Sequence, residues 1–424
     1  MADPVRVALV GCGRHARSHL MPAIRESSDL VLTAAVDIDQ SAAQQVSDGA
    51  VEIYADTSAM AASGVADAAV IAVPHDVLAN TALTCISAGQ HVFVETPLAR
   101  TRAEAETVLS AAAKQSVVVM PGYCLRFHPT RIQARTLLTQ GVTGHVVSIS
   151  AIKAGPPLTS WITDPSPGGG HLDVIGCHLI DQILWLHQEK ATTVTAHTID
   201  RDDTGGDDTT SLLLAFNNDV RATLVVSQAS GTHIDEIHFV GRSGRVRTDI
   251  FTSTTEVTST TARAFETPAT FHHVGNSCQE MFSREMADFG RAIRQGIPPG
   301  ITGLDAIRTL AVMEAARESS NLGTPVHVED PWEKHTSQSP PRDRLSRVRL
   351  QFTYPSDKIQ SSLVDQLARR FDLRFDIRRA DVDAGIGWVQ LLLEGESDEL
   401  EAAVEWAEQQ GIRVDPVEGE VATS

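Results

Sequence analysis

The sequence is poor in cysteine and has no long apolar run, and each shortage excludes a class of protein. Its five cysteines, at positions 12, 85, 124, 177 and 278, show no CxxC spacing. This favours a reduced, cytoplasmic protein without structural zinc. No segment approaches the roughly 20 apolar residues of a membrane span, and the N-terminus enters a strand without the basic region and apolar core of a signal peptide.

The chain is also short of positive charge, with 35 basic against 54 acidic residues and a net charge of −19. This balance argues against nucleic acid and anionic membranes as partners. Only five residues are lysine, at positions 114, 153, 190, 334 and 358, which limits the candidates for a lysine proton shuttle. The 424 residues, 42% of them hydrophobic, predict two or three globular domains.

A glycine-rich turn follows the first apolar run, Val5 to Val10. Gly11 permits a tight turn, Gly13 lets the backbone approach a pyrophosphate, and Ala16 allows close packing of helix on strand. The phosphate would lie on the helix N-terminus, beside Arg14 and His15.

A second apolar strand ends in Asp37, about two dozen residues after the glycines. A carboxylate at this place can accept hydrogen bonds from the adenosine ribose hydroxyls. No arginine directly follows Asp37 to bind a 2′-phosphate, so NAD is favoured over NADP as the cofactor.

Short apolar runs then alternate with helical patterns as far as Tyr123, which predicts a parallel, doubly wound α/β sheet. Several of the runs end in polar or turn residues: Pro74, Glu95-Thr96-Pro97 and Tyr123. Because ligands bind at the carboxyl ends of parallel strands, we expect these residues at one cleft.

Together these motifs resemble the Gfo/Idh/MocA family (glucose–fructose oxidoreductase and inositol dehydrogenase) over about residues 5–330. The stretches "HVFVETPLA", "GYCLRFHP" and "GGGHLDVIGCHLIDQILWL" carry the likeness, in order, with the helical pattern of residues 281–328. The resemblance implies a Rossmann domain (1–122) and an α+β substrate domain (123–330) with an open, mostly antiparallel sheet. It also implies a small polar hydroxyl or carbonyl substrate and a homo-oligomer, a dimer or tetramer.

The catalytic segment departs from the family pattern. Members typically have Glu-Lys-Pro where this chain has Glu95-Thr96-Pro97, and the lysine assists proton transfer. His178 falls where the family histidine does, but the usual aspartate position is Val174, with Asp173 one residue earlier. A one-residue slip turns a helical side chain by about 100°, so Asp173 takes that role only if the helix starts nearer His178 or contains a local bulge. Leu78 also stands where a histidine is frequent.

Several candidate residues keep two interpretations each. Thr96 can bind a substrate hydroxyl but has no useful pKa as a base; alternatively it satisfies backbone groups at a strand end. Lys153 could replace the missing lysine or lie at the surface. Arg126 could bind substrate together with Tyr123 and Trp161, or form a structural salt bridge. Histidines at positions 171 and 178 with Asp173 are too irregularly spaced to predict a metal site.

The residues after a polar linker (331–346) form a second pattern. Alternating apolar residues and two helical stretches predict the order βαββαβ over 347–424, which is ferredoxin-like. The segment "VQLLLEGESDELEAAVEWAEQQGIRV" resembles the NIL domain. This resemblance implies binding of a sulphur amino acid, and a packing module without ligand is the alternative.

The sequence therefore predicts an NAD(P)-dependent oxidoreductase with an atypical active site: His178 handling the proton, Asp173, Thr96 or Lys153 assisting, and Glu95 contacting the cofactor. Two alternatives stay open because the lysine is missing. One is a catalytically silent, NAD-bound sensor of sulphur amino acids. The other is a redox-neutral lyase or step of sulphur or amino-acid metabolism.

Overall fold

The computed structural model describes most of the chain. The described residues are 3–47, 49–157, 161, 164, 166, 168, 170–200, 208–329, 346–355, 367, 370–371, 373–383, 386–395, 397–409 and 412–416. The chain divides into two compact units, residues 1–334 and 335–424. No helix among the described residues is long and apolar enough to cross a membrane.

The first sheet has six parallel strands in the order β3-β2-β1-β4-β5-β6. Its strands are β1 (Val5–Val10), β2 (Leu30–Val36), β3 (Glu52–Tyr54), β4 (Ala68–Ile71), β5 (His91–Val94) and β6 (Val119–Pro121). Valine, alanine and leucine dominate the central strands because helices cover both faces of a parallel sheet. The strand order reverses between β1 and β4, which places the ligand crevice there.

Helices cover the first sheet, and three of them begin at a side-chain N-cap, formed by Asp39, Asp56 and Thr101. They are α1 (Met21–Glu26), α2 (Gln40–Gln44), α3 (Thr57–Ser63), α4 (His75–Ser87) and α5 (Arg102–Gln115). Thr101 and Glu104 form a reciprocal capping box that satisfies the free N–H groups at the start of α5.

The second sheet has nine strands in the order β14-β13-β12-β11-β7-β10-β9-β8-β15. All its pairs are antiparallel except β7 with β10, so it is a mixed sheet. Its strands are β7 (Val146–Ala154), β8 (Ala191–Ile199), β9 (Thr209–Phe216), β10 (Arg221–Ser227), β11 (Ile234–Gly241), β12 (Gly244–Asp249), β13 (Thr254–Ser259), β14 (Ala269–His272) and β15 (Val326–His327).

Four helices accompany this sheet: α6 (Pro129–Thr139), α7 (Cys177–His187), α8 (Ser277–Gln295) and α9 (Gly303–Leu322). Helix α8 returns to the first layer and packs against α1, β1 and β2. Gly290 makes this approach possible, because a Cβ there would lie 2.7 Å from the Cβ of Asp29. The late helices therefore hold the two sheets together as one unit.

A buried charged network fastens α6 to the second sheet. Arg131 is fully buried and donates to Asp235 on β11 and to Gln182 on α7. Lys153 on β7 donates to the other oxygen of Asp235. Burial alone would raise the pKa of Asp235, but the charges of Lys153 and Arg131 lower it below its ordinary value.

The second unit has four antiparallel strands in the order β17-β18-β16-β19. The strands are β16 (Ser346–Pro355), β17 (Arg374–Asp383), β18 (Ile386–Gly395) and β19 (Arg413–Pro416), with helix α10 (Ser397–Gln409). Their order is the one expected for a βαββαβ chain. The predicted first helix, residues 361–372, lies mostly outside the described residues.

We expect Asp235→Asn to lower the free energy of unfolding by about 3 kcal/mol, because it leaves the guanidinium of Arg131 buried with its charge uncompensated. Equilibrium urea unfolding followed by tryptophan fluorescence measures the change. The matched control is Glu236→Gln, whose partner Arg247 is partly exposed, so its loss costs less than about 1 kcal/mol. Equal losses in the two variants would contradict the importance of the buried network.

Candidate active site

The glycine turn has the geometry that the sequence predicts. Gly11 has φ +88°, and a Cβ there would lie 2.3 Å from the carbonyl oxygen of Ala72. A Cβ at Gly13 would meet nothing within 4 Å, so space is open above the turn. Ala16 is buried against the sheet, and helical residues begin at Arg14 and His15.

Asp37 stands at the end of β2 beside this turn. Its carboxylate accepts hydrogen bonds from the backbone N–H groups of Cys12, at 2.7 Å, and Asp39, at 2.8 Å. These bonds orient the carboxylate at the mouth of the glycine turn. The open space at Gly13 and the carboxylate next to it fit the phosphate and ribose groups of a dinucleotide.

A histidine that the sequence interpretation did not single out lies shortly after the end of β4. His75 follows Pro74 at the start of α4, is buried, and has its Nδ1 2.7 Å from the carbonyl oxygen of Gly168. The ring of Trp161 lies edge-on to His75, with centroids 5.2 Å apart. Burial lowers the pKa of His75 to about 4. Its place directly after a strand-end proline is the signal that could have identified it.

Glu95, at the end of β5, pairs with His15 of the glycine turn. The two side chains meet at 2.9 Å between Nε2 and Oε1. Burial opposes both charges, but the pair outweighs it: the pKa of His15 is raised and the pKa of Glu95 is lowered. Glu95 is thus held as a carboxylate at the carboxyl end of β5.

Thr96 and His178 meet where the two layers face each other. The Oγ1 of Thr96 lies 3.1 Å from the Nε2 of His178, and the Thr96–Pro97 peptide bond is cis. The Nδ1 of His178 is buried and has no hydrogen-bond partner among the described residues. Burial, assisted by the charge of Lys153, lowers the pKa of His178 to about 4. The imidazole is therefore neutral at neutral pH.

A π-helical turn, Leu172–Gly176, precedes α7. Such a turn is the local bulge that could bring Asp173 toward His178. The structure gives Asp173 a different partner, however, because its carboxylate forms an ion pair with Arg317 of α9. Burial raises the pKa of Asp173 in spite of that partner.

Lys153 lies on the site side of the second sheet, where its ion pair with Asp235 leaves the side chain only 18% exposed. The interpretation of Lys153 as a surface lysine is therefore wrong. Its ammonium group is close enough to lower the pKa of His178, but Asp235 holds it.

The geometry of Arg126 favours the structural alternative. Its guanidinium donates to both oxygens of Asp181, at 2.9 and 2.5 Å, and lies 3.1 Å from Asp305. The guanidinium that was predicted to bind substrate is therefore already paired with two carboxylates of the protein. Tyr123 does reach the site, with its ring edge-on to His178 at 6.2 Å between centroids.

Two further buried groups lie near the site: His171, which the sequence interpretation considered only as a metal ligand, and Glu285, which it did not single out. Both ring nitrogens of His171 and both carboxyl oxygens of Glu285 are buried without a hydrogen-bond partner among the described residues. Burial and the nearby charge of Glu95 raise the pKa of Glu285 well above its ordinary value. Glu285 was detectable, since it is the one acidic residue within the apolar stripe Met281, Phe282, Met286 and Phe289 of α8.

Three protein-family profiles match the sequence of this chain. The profile of the Gfo/Idh/MocA oxidoreductases, an NAD-binding Rossmann fold, matches residues 5–123, and the C-terminal domain of the same family matches residues 132–247. The NIL domain profile matches residues 348–416.

Two relatives match this chain over nearly the whole of their own length. Rhizopine catabolism protein MocA of Rhizobium meliloti is 27% identical over 74% of this chain and 94% of its own. Inositol 2-dehydrogenase 1 of Saccharopolyspora erythraea is 26% identical over 77% of this chain and 96% of its own. A solved oxidoreductase domain protein from Kribbella flavida has the same fold, with a TM-score of 0.72 and 21% identity over 78% of this chain and all of its own.

The His15–Glu95 pair predicts a pH-dependent contribution to stability. Because folding raises the pKa of His15, the stabilisation is fully present below its ordinary pKa of about 6.5 and is lost as pH rises through the raised value. We expect the coupling between His15→Gln and Glu95→Gln, measured from melting temperatures of both single variants and the double variant, to be larger at pH 5.5 than at pH 9. A coupling that grows with pH would contradict the charged pair.

Proposed function

Since the chain belongs to the Gfo/Idh/MocA family of NAD-binding oxidoreductases, we propose that it oxidises a hydroxyl group of a small cyclic polyol, or catalyses the reverse reduction. The observation that carries the proposal is the hydrogen bond between Thr96 and His178 at the carboxyl end of β5. It puts a hydroxyl and a neutral imidazole in contact at the place where family members carry the lysine.

We propose that Gly11, Gly13, Arg14, His15 and Ala16 hold the pyrophosphate of NAD and that Asp37 holds its adenosine ribose. Pro74, Glu95 and Thr96 would line the nicotinamide end, because their strands end at the same sheet edge. When bound, NAD supplies the hydride acceptor of the reaction. The chain itself must then manage the proton of the substrate hydroxyl.

Thr96 has no useful basicity of its own, so we assign it the role of a relay. The substrate hydroxyl donates to Oγ1 of Thr96, while the hydroxyl proton of Thr96 passes to Nε2 of His178. The neutral state of His178 leaves that nitrogen able to accept. Tyr123 closes one side of the imidazole with its ring edge.

Lys153 and Asp173 are assigned supporting roles. Asp235 holds Lys153, so Lys153 acts on His178 through its charge. Arg317 holds Asp173, so Asp173 anchors the π-helical turn that sets the start of α7. The usual lysine–aspartate–histidine arrangement is thereby replaced by a threonine–histidine pair.

The substrate class is inferred from the relatives together with the polar site. Inositol 2-dehydrogenase 1 and the rhizopine catabolism protein are similar over three quarters of this chain. Trp161 and His75 form a ring wall against which a cyclic polyol can pack through its C–H faces. Arg126 is left out of this substrate site because Asp181 and Asp305 occupy it.

The test compares Thr96→Ser with Thr96→Val, which differ in the relay hydroxyl. We expect Thr96→Ser to keep kcat within about tenfold and Thr96→Val to lower it about 100-fold or more, as for loss of a positioned proton-transfer group. NADH formation from a panel of cyclic polyols, inositol included, measures turnover. NADH fluorescence checks that both variants are folded and still take up the cofactor.

Equal activity of the two variants would contradict the relay. NAD binding without turnover of any polyol, by the unaltered protein, would instead favour the catalytically silent sensor. Substrate consumption without net NADH change would favour the redox-neutral alternative.

A second candidate function rests on the NIL match to residues 348–416. We propose that this unit binds a sulphur amino acid. Methionine, homocysteine and cysteine are screened by thermal shift against the full chain and a chain ending at residue 340. Stabilisation of the full chain alone is expected, and stabilisation of both or neither would reject the assignment.

A further inference from the structure

A second cavity lies in the substrate domain, apart from the cleft described above. It has a volume of about 430 Å³, and its walls come from the end of α7, from α9 and from the start of β8. Neither Thr96 nor His178 lines it. The size suits a small organic molecule.

One wall of this cavity carries a guanidinium with one nitrogen that no described residue pairs. The guanidinium of Arg135, on α6, lies over the ring of Trp185 at 4.9 Å from its centroid. Its Nη1 is buried and has no hydrogen-bond partner among the described residues. Leaving a buried charged donor unpaired is costly, so a missing acceptor is the simplest explanation of this geometry.

Arg126 lines the same cavity but differs from Arg135, because its guanidinium is paired with Asp181 and Asp305. Burial, with the repulsive charge of Arg126, lowers the pKa of Arg135 to about 10. Arg135 therefore still carries its charge at neutral pH. Arg308, an exposed residue of α9, places a second guanidinium at the rim.

The remaining lining narrows the class of ligand. Leu184, Trp185, Val312 and Val328 supply an apolar surface. Glu189, Lys190 and Glu329 also line the cavity, so the field inside is mixed and favours a single negative charge over an anion of high charge density. A single carboxylate on an apolar body matches both features.

We propose that this cavity is a binding site for a small organic carboxylic acid, whose carboxylate accepts from Arg135 and Arg308 while its apolar body packs on Trp185 and Val312. The site is distinct from the NAD cleft and does not depend on the reaction assigned there. Arg126 lines this cavity and donates to Asp181, which lies on the same helix as His178 of the cleft.

The experiment measures binding of benzoate to the full chain by calorimetry, with benzamide as the uncharged analogue and sulfate as the anion without an apolar body. We expect benzoate to bind at millimolar concentration and the other two to bind at least tenfold more weakly. Arg135→Gln should weaken benzoate about tenfold or more, as for loss of a charge-assisted hydrogen bond. Arg308→Gln should weaken it about threefold, and the exposed control Arg242→Gln should leave it unchanged.

Fluorescence of bound NADH serves as the check that each variant is folded. If Arg135→Gln does not fold, Arg308→Gln decides, and benzoate affinity equal to that of the unaltered protein would overturn the proposal. Benzoate binding that Arg135→Gln leaves intact, equal binding of benzamide, or no benzoate binding at all would overturn it too.

Discussion

The hydrogen bond between Thr96 and His178 joins residues 82 positions apart in the chain, and the candidate site depends on it. Thr96 follows β5, a parallel strand that lies between β4 and β6 in the first sheet. His178 is placed by a helix that starts only after a π-helical turn. Any shift of α7 relative to β5 would separate the hydroxyl from the imidazole, so the packing of the two layers is also a condition of the chemistry.

The buried charges explain how that packing is maintained. Arg131, Asp235, Lys153 and Gln182 connect α6, α7 and two strands of the second sheet, and Gln182 donates to the backbone oxygen of His178. Such a network is costly to bury but costlier to leave half-paired, which favours one arrangement of these elements. The same network holds Lys153 near His178, whose pKa is lowered by burial and by the charge of Lys153.

We propose that Thr96 stands where family members carry a lysine, so that a short hydroxyl takes the place of a long cationic side chain. The contact of Thr96 with His178 is direct, and Lys153 on β7 places a positive charge near the same imidazole. Fold likeness alone does not specify the chemistry of such a site.

Much of the fold and of the cofactor cleft followed from the sequence, because they rest on local rules. Alternating apolar runs and helices predicted the parallel sheet, and Gly11, Gly13 and Asp37 lie where strand ends must converge. The roles of Asp173, Lys153 and Arg126 could not be predicted in this way, since each depends on a partner far along the chain: Arg317, Asp235 and Asp181. His75 and Glu285 were missed although each carried a local signal, since His75 directly follows a strand-end proline and Glu285 lies within an apolar stripe of α8.

The sequence by itself thus determined the alternation of strands and helices in the first layer and the glycine turn, which depend on side-chain periodicity and short spacings, and its ordered motifs carried the resemblance to the family. Only the tertiary structure decided which charged groups pair, because pairing depends on distances of a few ångströms between remote segments and on the loss of water around them. It paired Arg126 with Asp181, Asp173 with Arg317 and Lys153 with Asp235. It left Thr96 with His178 at the cleft.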